Sequence, residues 1–218
     1  MDLTNQPLDT PYIIERHEGF CIVFKPIGWT VQKDAQAPGI LEWVTQTLSV
    51  PCFPVHRLDK PTSGLLIVAL TRVANQKLSQ LFASKEIKKT YLAISDQKPK
   101  KKQGWIKGDM APSRRGQFKL LRSQENPAIT YFESELIEPG LRGFKLFPKT
   151  GKTHQLRVAM KSIGSPILGD ALYSGSPSAR LYLHAWQLAF DLEGRKFSVT
   201  APPKDPLFRQ WLESDQND

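Results

Sequence analysis

The stretch Val55-His56-Arg57-Leu58-Asp59-Lys60-Pro61-Thr62-Ser63-Gly64 is polar and rich in turn formers, and it runs directly into the apolar segment Leu65 to Leu70. Asp59 sits between Arg57 and Lys60, and cationic neighbours favour the ionised form of a carboxylate. Such a group can act as a nucleophile or a base. It can equally well accept a loop hydrogen bond or hold an ion pair, and this segment alone does not separate the two readings. Other residues of reactive type lack the necessary context. Ser63 has no G-x-S-x-G elbow around it, so turn formation accounts for Thr62, Ser63 and Gly64. Gly151-Lys152-Thr153 ends like a phosphate-binding loop, but the first glycine of G-x-x-x-x-G-K-[ST] is missing. His56 and His154 could do acid–base work, and packing or capping accounts for them better. A hydrolytic glycosidase would need a second carboxylate at a defined distance from the first, and no other Asp or Glu has such a motif context.

The elements that must position Asp59 follow from periodicity. Tyr12-Ile13-Ile14 and Phe20 to Phe24 read as two short strands around the polar turn Arg16 to Gly19. Leu41, Val44 and Leu48 recur at helical spacing, giving a helix over Ile40 to Ser49 closed by Pro51. Leu65 to Leu70 is a strand, and Ala74, Leu78, Leu81 and Phe82 form the stripe of a helix capped at or near Thr71. Tyr91 to Ser95 returns as a strand. Between Asp96 and Arg122 stand eight Lys and Arg mixed with glycine, proline and Trp105, so residues 96–122 read as a basic, partly mobile loop insertion. Thr130 to Ile137 and Gly143 to Pro148 make a hairpin about Glu138-Pro139-Gly140. Thr153 opens a short helix that ends at Gly164, burying Leu156, Met160 and Ile163 and leaving Arg157 on the polar face. A second hairpin turns at Leu192-Glu193-Gly194-Arg195. Asp205 and Pro206 stand as cap and first residue of a last helix with Leu207, Phe208, Trp211 and Leu212. Short hairpin strands with interspersed helices point to an α+β fold on a mainly antiparallel sheet.

Composition narrows the partner. Thirty Lys and Arg against twenty-one Asp and Glu give a net charge of +9, with a pI near 9.6. That balance favours a polyanion, nucleic acid first, although a merely soluble basic protein has the same charge. No apolar run approaches the roughly 20 residues that span a bilayer, and the N-terminus lacks a charged-then-apolar secretory pattern. A cytoplasmic protein is therefore expected. Cys21 and Cys52 form no C-x-x-C pair and have no histidine at metal-ligand spacing, so reduced thiols and no zinc are expected.

Four separated segments, taken together, raise the reading above chemistry in the abstract. His56 to Val68 resembles the signature of the RluA-type pseudouridine synthases. Pro148-Lys149-Thr150-Gly151-Lys152-Thr153-His154-Gln155-Leu156-Arg157-Val158, followed by Gly164 to Asp170 and Tyr173, is similar to the family's second signature. Lys25-Pro26-Ile27-Gly28 and Leu181-Tyr182-Leu183-His184-Ala185 resemble its flanking motifs. The resemblance spans Tyr12 to Pro203.

That resemblance implies one catalytic domain over 1–218 with a bilobal, mixed but largely antiparallel sheet, flanking helices and a central cleft. It implies a uridine flipped out of a structured RNA, rRNA or tRNA, and no cofactor or metal. Asp59 matches the catalytic aspartate, which attacks C1′ of the ribose or removes a proton from C2′. Tyr91 matches the active-site tyrosine, whose ring can stack on uracil. Arg157 matches the arginine that pairs with the aspartate. Arg57 resembles the residue that enters the space left by the flipped base. Lys25 and Leu156, inside matched segments, and Lys100, Lys101 and Lys102 in the basic loop are expected to contact substrate. Two departures, Ala159 and Gln32-Lys33 where histidine and His-Pro are common, bear on substrate contacts. The additional N-terminal RNA-binding domain of many relatives is not expected here, so target choice would rest on the cleft and basic loops. A monomer acting on RNA, with neither DNA nor membrane as partner, is expected. The competing reading is a non-catalytic RNA-binding or RNA-folding protein using the same cleft.

Overall fold

The computed structural model describes residues 10–214. Its strands are β1 (Tyr12–Arg16), β2 (Phe20–Lys25), β3 (Phe53–Pro54), β4 (Ser63–Ala69), β5 (Lys88–Ser95), β6 (Gln103–Gly108), β7 (Met110–Pro112), β8 (Phe118–Leu120), β9 (Ala128–Glu138), β10 (Leu141–Pro148), β11 (Leu183–Leu192) and β12 (Arg195–Thr200). The helices are α1 (Ile40–Leu48), α2 (Arg72–Ala83), α3 (Gln155–Ser162) and α4 (Pro206–Ser214). This is a mixed α+β fold with a large, mostly antiparallel sheet, as the hairpin spacing implies. Among the described residues no helix is long and apolar enough to cross a membrane.

The chain divides into two compact units, Met1–Ile87 with Gln187–Lys204, and Lys88–Trp186 with Asp205–Asp218. In the first, β2 pairs antiparallel with β1 on one side and β4 on the other. Both β2 and β4 are buried at every position, because their continuous apolar runs are covered on both faces. Phe20, Ile22, Leu65, Ile67 and Leu78 of α2 share a core with Leu188, Phe190, Phe197 and Val199 of the β11–β12 hairpin. That hairpin turns through Glu193 and Gly194, both at positive φ, the two-residue geometry that matches strand twist. Thr71 caps α2 by accepting from the Ala74 amide at 3.1 Å.

In the second unit β10 lies between β5 and β9, and β6 pairs with β9. One face packs on α3 through Phe132, Phe144, Leu146, Leu156, Ala159 and Met160. The opposite face receives α4, whose Phe208 and Trp211 cover Leu92 and Ile94. Asp205 caps α4 through the Leu207 amide at 3.0 Å. Three expectations change. The supposed basic loop over 96–122 contains β6, β7 and β8, with β7 and β8 paired as a hairpin. α3 starts at Gln155, because His154 takes a left-handed conformation (φ 57°) as its cap and Thr153 stays outside. Arg157 does not lie on a polar face: residues 155 to 160 are all buried, since α3 is enclosed on nearly every side.

Gly143 opens the slot that seats α4. A Cβ at this position would stand 2.3 Å from the Trp211 indole. Gly143→Ala should therefore cost about 1–3 kcal/mol through overpacking, read as a lower urea midpoint and faster proteolysis near Phe208. An unchanged midpoint would mean that α4 does not seat against β10.

Candidate active site

Asp59 is carried by the segment joining β3 to β4. Alternate residues of that segment are turned inward. His56 accepts the Ile67 amide through Nε2 at 2.9 Å and stacks on Phe82 with ring centroids 4.3 Å apart. Leu58 is buried. Arg57 is exposed and Asp59 half-buried. The Asp59 carbonyl accepts the Thr62 amide at 2.9 Å, closing a turn. Gly64 sits at φ 117°, a conformation that favours glycine, where β4 begins pairing with Lys25.

Lys25 holds this turn from below. Its side chain is fully buried, and Nζ donates to the carbonyls of Pro26 at 3.0 Å, Trp29 at 2.8 Å and Lys60 at 3.3 Å. The Lys60 carbonyl also takes the Gly28 amide at 2.9 Å. A buried ammonium needs such acceptors. The expected substrate contact at Lys25 is thus corrected to an internal clamp on the Asp59 turn. The histidine that sequence reading set aside, His56, does serve packing and backbone pairing.

In the second unit Tyr91 lies on β5 opposite Leu146, half-buried against the α3-side core. Lys89 shares its face of the strand. Its Nζ donates to the Thr150 carbonyl at 3.3 Å, and burial holds its pKa below the usual lysine value. The segment from Thr150 to Arg157 is tied down by its own polar side chains. Gln155 Oε1 accepts from Thr150 Oγ1 at 2.7 Å and the Lys152 amide at 3.0 Å, while Nε2 donates to Ile129 O and Thr130 Oγ1 at 3.2 and 3.0 Å. Leu156 is buried in the core beside α3, so it is a packing residue and not a substrate contact.

Arg157 forms a two-pronged pair with Asp170, Nε to Oδ2 at 2.8 Å and Nη2 to Oδ1 at 2.7 Å. Both side chains are buried. Asp170 Oδ1 also accepts the Tyr173 amide at 3.2 Å, and the Tyr173 ring lies under the guanidinium at 4.9 Å. The Tyr173 hydroxyl accepts the Phe118 amide at 2.9 Å and pairs with His154 Nδ1 at 2.9 Å. Sequence reading named Arg157 and missed Asp170 as its partner. The available signal was an acidic residue inside the second matched segment. Lys100, Lys101 and Lys102 present exposed side chains, with the Lys102 carbonyl anchored by Ser134. Burial pushes the Cys21 thiol up to about 12, and both cysteines are free. Among the described residues no group of His, Cys, Asp or Glu gathers as a metal site.

Comparison with known proteins adds to this geometry. Residues 19–162 match the family described as RNA pseudouridylate synthase. A Haemophilus influenzae protein named as an uncharacterized RNA pseudouridine synthase is 52% identical over 203 residues, covering 92% of this chain and 90% of its own. The dual-specificity RNA pseudouridine synthase RluA of Pasteurella multocida is 38% identical over 161 residues, 70% of this chain and 74% of its own. The solved structure of human RNA Pseudouridylate Synthase Domain Containing 1 superposes with a TM-score of 0.76 at 24% identity, over 93% of this chain and 86% of that one, a likeness of fold.

Removing one member of a buried ion pair leaves the other uncompensated. Asp170→Asn should lower stability by about 3 kcal/mol, read by urea denaturation. A loss below about 1 kcal/mol, the range of exposed pairs, would contradict the structural role of this pair.

Proposed function

Because the chain belongs to the RNA pseudouridylate synthase family and is an isomerase of RNA uridine, we propose that Asp59 is its catalytic carboxylate, with Tyr91 and Arg157 sharing the chemistry. The reaction breaks the N1–C1′ bond, turns the uracil and joins C5 to C1′, while C5 loses a proton and N1 gains one. Atoms and electrons balance within the nucleotide, so the step calls for no oxidant and no second substrate. Asp59 attacks C1′ or takes the C2′ proton, and either route needs an ionised carboxylate beside the glycosidic bond. Tyr91 stacks on the detached uracil, and Arg157 supplies the counter-cation of the aspartate. Arg57 enters the space left by the flipped base, its planar cation stacking on neighbouring bases.

The observation that carries this reading is the family match over 19–162, which contains all three residues. The turn at Asp59 supports it, because His56, Leu58 and Lys25 hold the backbone that bears the half-buried Asp59. Membership of this family favours catalysis over RNA binding alone. The substrate class proposed is structured RNA, ribosomal or transfer, bound by a monomer in the cytoplasm. The positive charge and the exposed Lys100, Lys101 and Lys102 suit that partner.

Pseudouridine mapping of total RNA by carbodiimide labelling and primer extension should show at least one site lost in a deletion strain and restored by the wild-type gene. No altered position, despite demonstrated expression, would contradict the proposal. Replacing Lys100, Lys101 and Lys102 together with Gln should weaken RNA binding and flatten the slope of log affinity against log salt by about 0.7–0.9 for each phosphate no longer neutralised. An unchanged slope would make these lysines a solvated face.

A further inference from the structure

The face of the second unit's sheet that receives α4 continues beyond that helix. Here Trp105 of β6 stands opposite Tyr131 of β9, and Tyr131 stands opposite Phe147 of β10. Directly opposed residues share a face, so three rings form a row across three strands. Their centroids are 5.1 and 6.1 Å apart and tilted by 55° and 35°. Trp105 is 53% exposed, and Tyr131 and Phe147 are half-buried. Tyr91 packs with the core on the opposite face, so the row is no part of the surface assigned to the uracil.

Cations border the row. Lys107 shares the Trp105 face and holds Nζ 5.2 Å from the indole centroid. Lys145 shares the Phe147 face, and Lys149 follows just beyond the end of β10. Glu133 is also on this face, paired in register with Lys145 and Gln103. Rings packed against one another at these separations make a continuous aromatic platform on which unpaired bases can stack, with lysines at phosphate positions. Protein-binding surfaces use aromatic rings too, but they are depleted in lysine, so the lysine border favours a polyanion.

We propose that this face is a second RNA-binding surface, on which Trp105, Tyr131 and Phe147 stack unpaired nucleotides of the substrate while Lys107, Lys145 and Lys149 take phosphates. It rests on the reading of the substrate as RNA and adds a contact for single-stranded nucleotides away from the uridine that reacts. A base–aromatic stack is sequence-tolerant, so the surface contributes affinity for unpaired RNA and not recognition of particular bases.

The test is anisotropy binding of an unstructured, fluorescently labelled 10-nucleotide RNA to the full-length protein, with urea melts on each variant. Trp105→Ala should bind about tenfold more weakly, whereas Trp105→Phe should keep most of the affinity. Lys107→Gln with Lys149→Gln should lower the salt slope by about 1.4, at about 0.7 per phosphate of a single strand. This pair keeps all three rings, so it keeps the proposal testable if Trp105→Ala melts. Unchanged affinity in Trp105→Ala, or an unchanged slope in the lysine pair, overturns the proposal, and a surface that serves a protein partner would give that result. Pseudouridine formation by the same preparations separates the two readings. A wild-type protein that makes no product contradicts the enzyme assignment, whereas product formation with ring-independent oligonucleotide binding contradicts the second surface alone.

Discussion

The buried pair of Arg157 and Asp170 is the constraint on which the second unit's arrangement depends. A helix enclosed on nearly every side cannot carry a guanidinium without a matching anion, because an uncompensated buried charge costs several kcal/mol. Asp170 meets that need and at the same time caps the short 3-10 helix Ala171–Tyr173. Tyr173 then passes the constraint on, to β8 through the Phe118 amide and to the start of α3 through His154. One ion pair therefore fixes the helix that bears Arg157, the segment after it and the strand beside it. A rigid, oriented cation is the state that the role proposed for Arg157 needs before substrate arrives.

The first unit solves the same problem with a different cation. Lys25 is buried with three carbonyls around its ammonium, and one of them belongs to the turn that bears Asp59. In both matched segments some of the polar residues are thus spent on architecture. His56 and Gln155 hold backbone and His154 holds the Tyr173 hydroxyl, while Arg57 is exposed and Asp59 half-buried. Long matched segments suit the proposed role of Asp59, because one reacting group needs several residues to fix its backbone.

Much of this was legible in the sequence where local chemistry decides structure. Thr71 and Asp205 cap their helices as their types and positions imply, and Glu193-Gly194 turns its hairpin. The start of α3 was not legible, because a left-handed histidine cap has no compositional signal. β6 was hidden for a physical reason. Its inward positions are Gly104, Ile106 and Gly108, and a Cβ on Gly108 would stand 2.2 Å from the Leu121 carbonyl, so close approach replaces the apolar alternation that marks a strand. The resemblance implied two lobes, but their boundaries were not legible, since the first is completed by residues 187–204 after the second has been built. Asp170 could be seen as a residue of a matched segment, but its bond to Arg157 depends on how α3 packs.

The central claim is that Asp59 carries out the isomerisation. Forming the C5–C1′ bond expels the hydrogen at C5, so RNA labelled with tritium at C5 of uridine reports the reaction directly. Single-turnover assays with wild-type protein and Asp59→Asn, matched for folding by urea melts and for RNA affinity, should show tritium released by the first and none by the second. Release by Asp59→Asn at a rate near that of the wild type would contradict the account and move the chemistry to another residue.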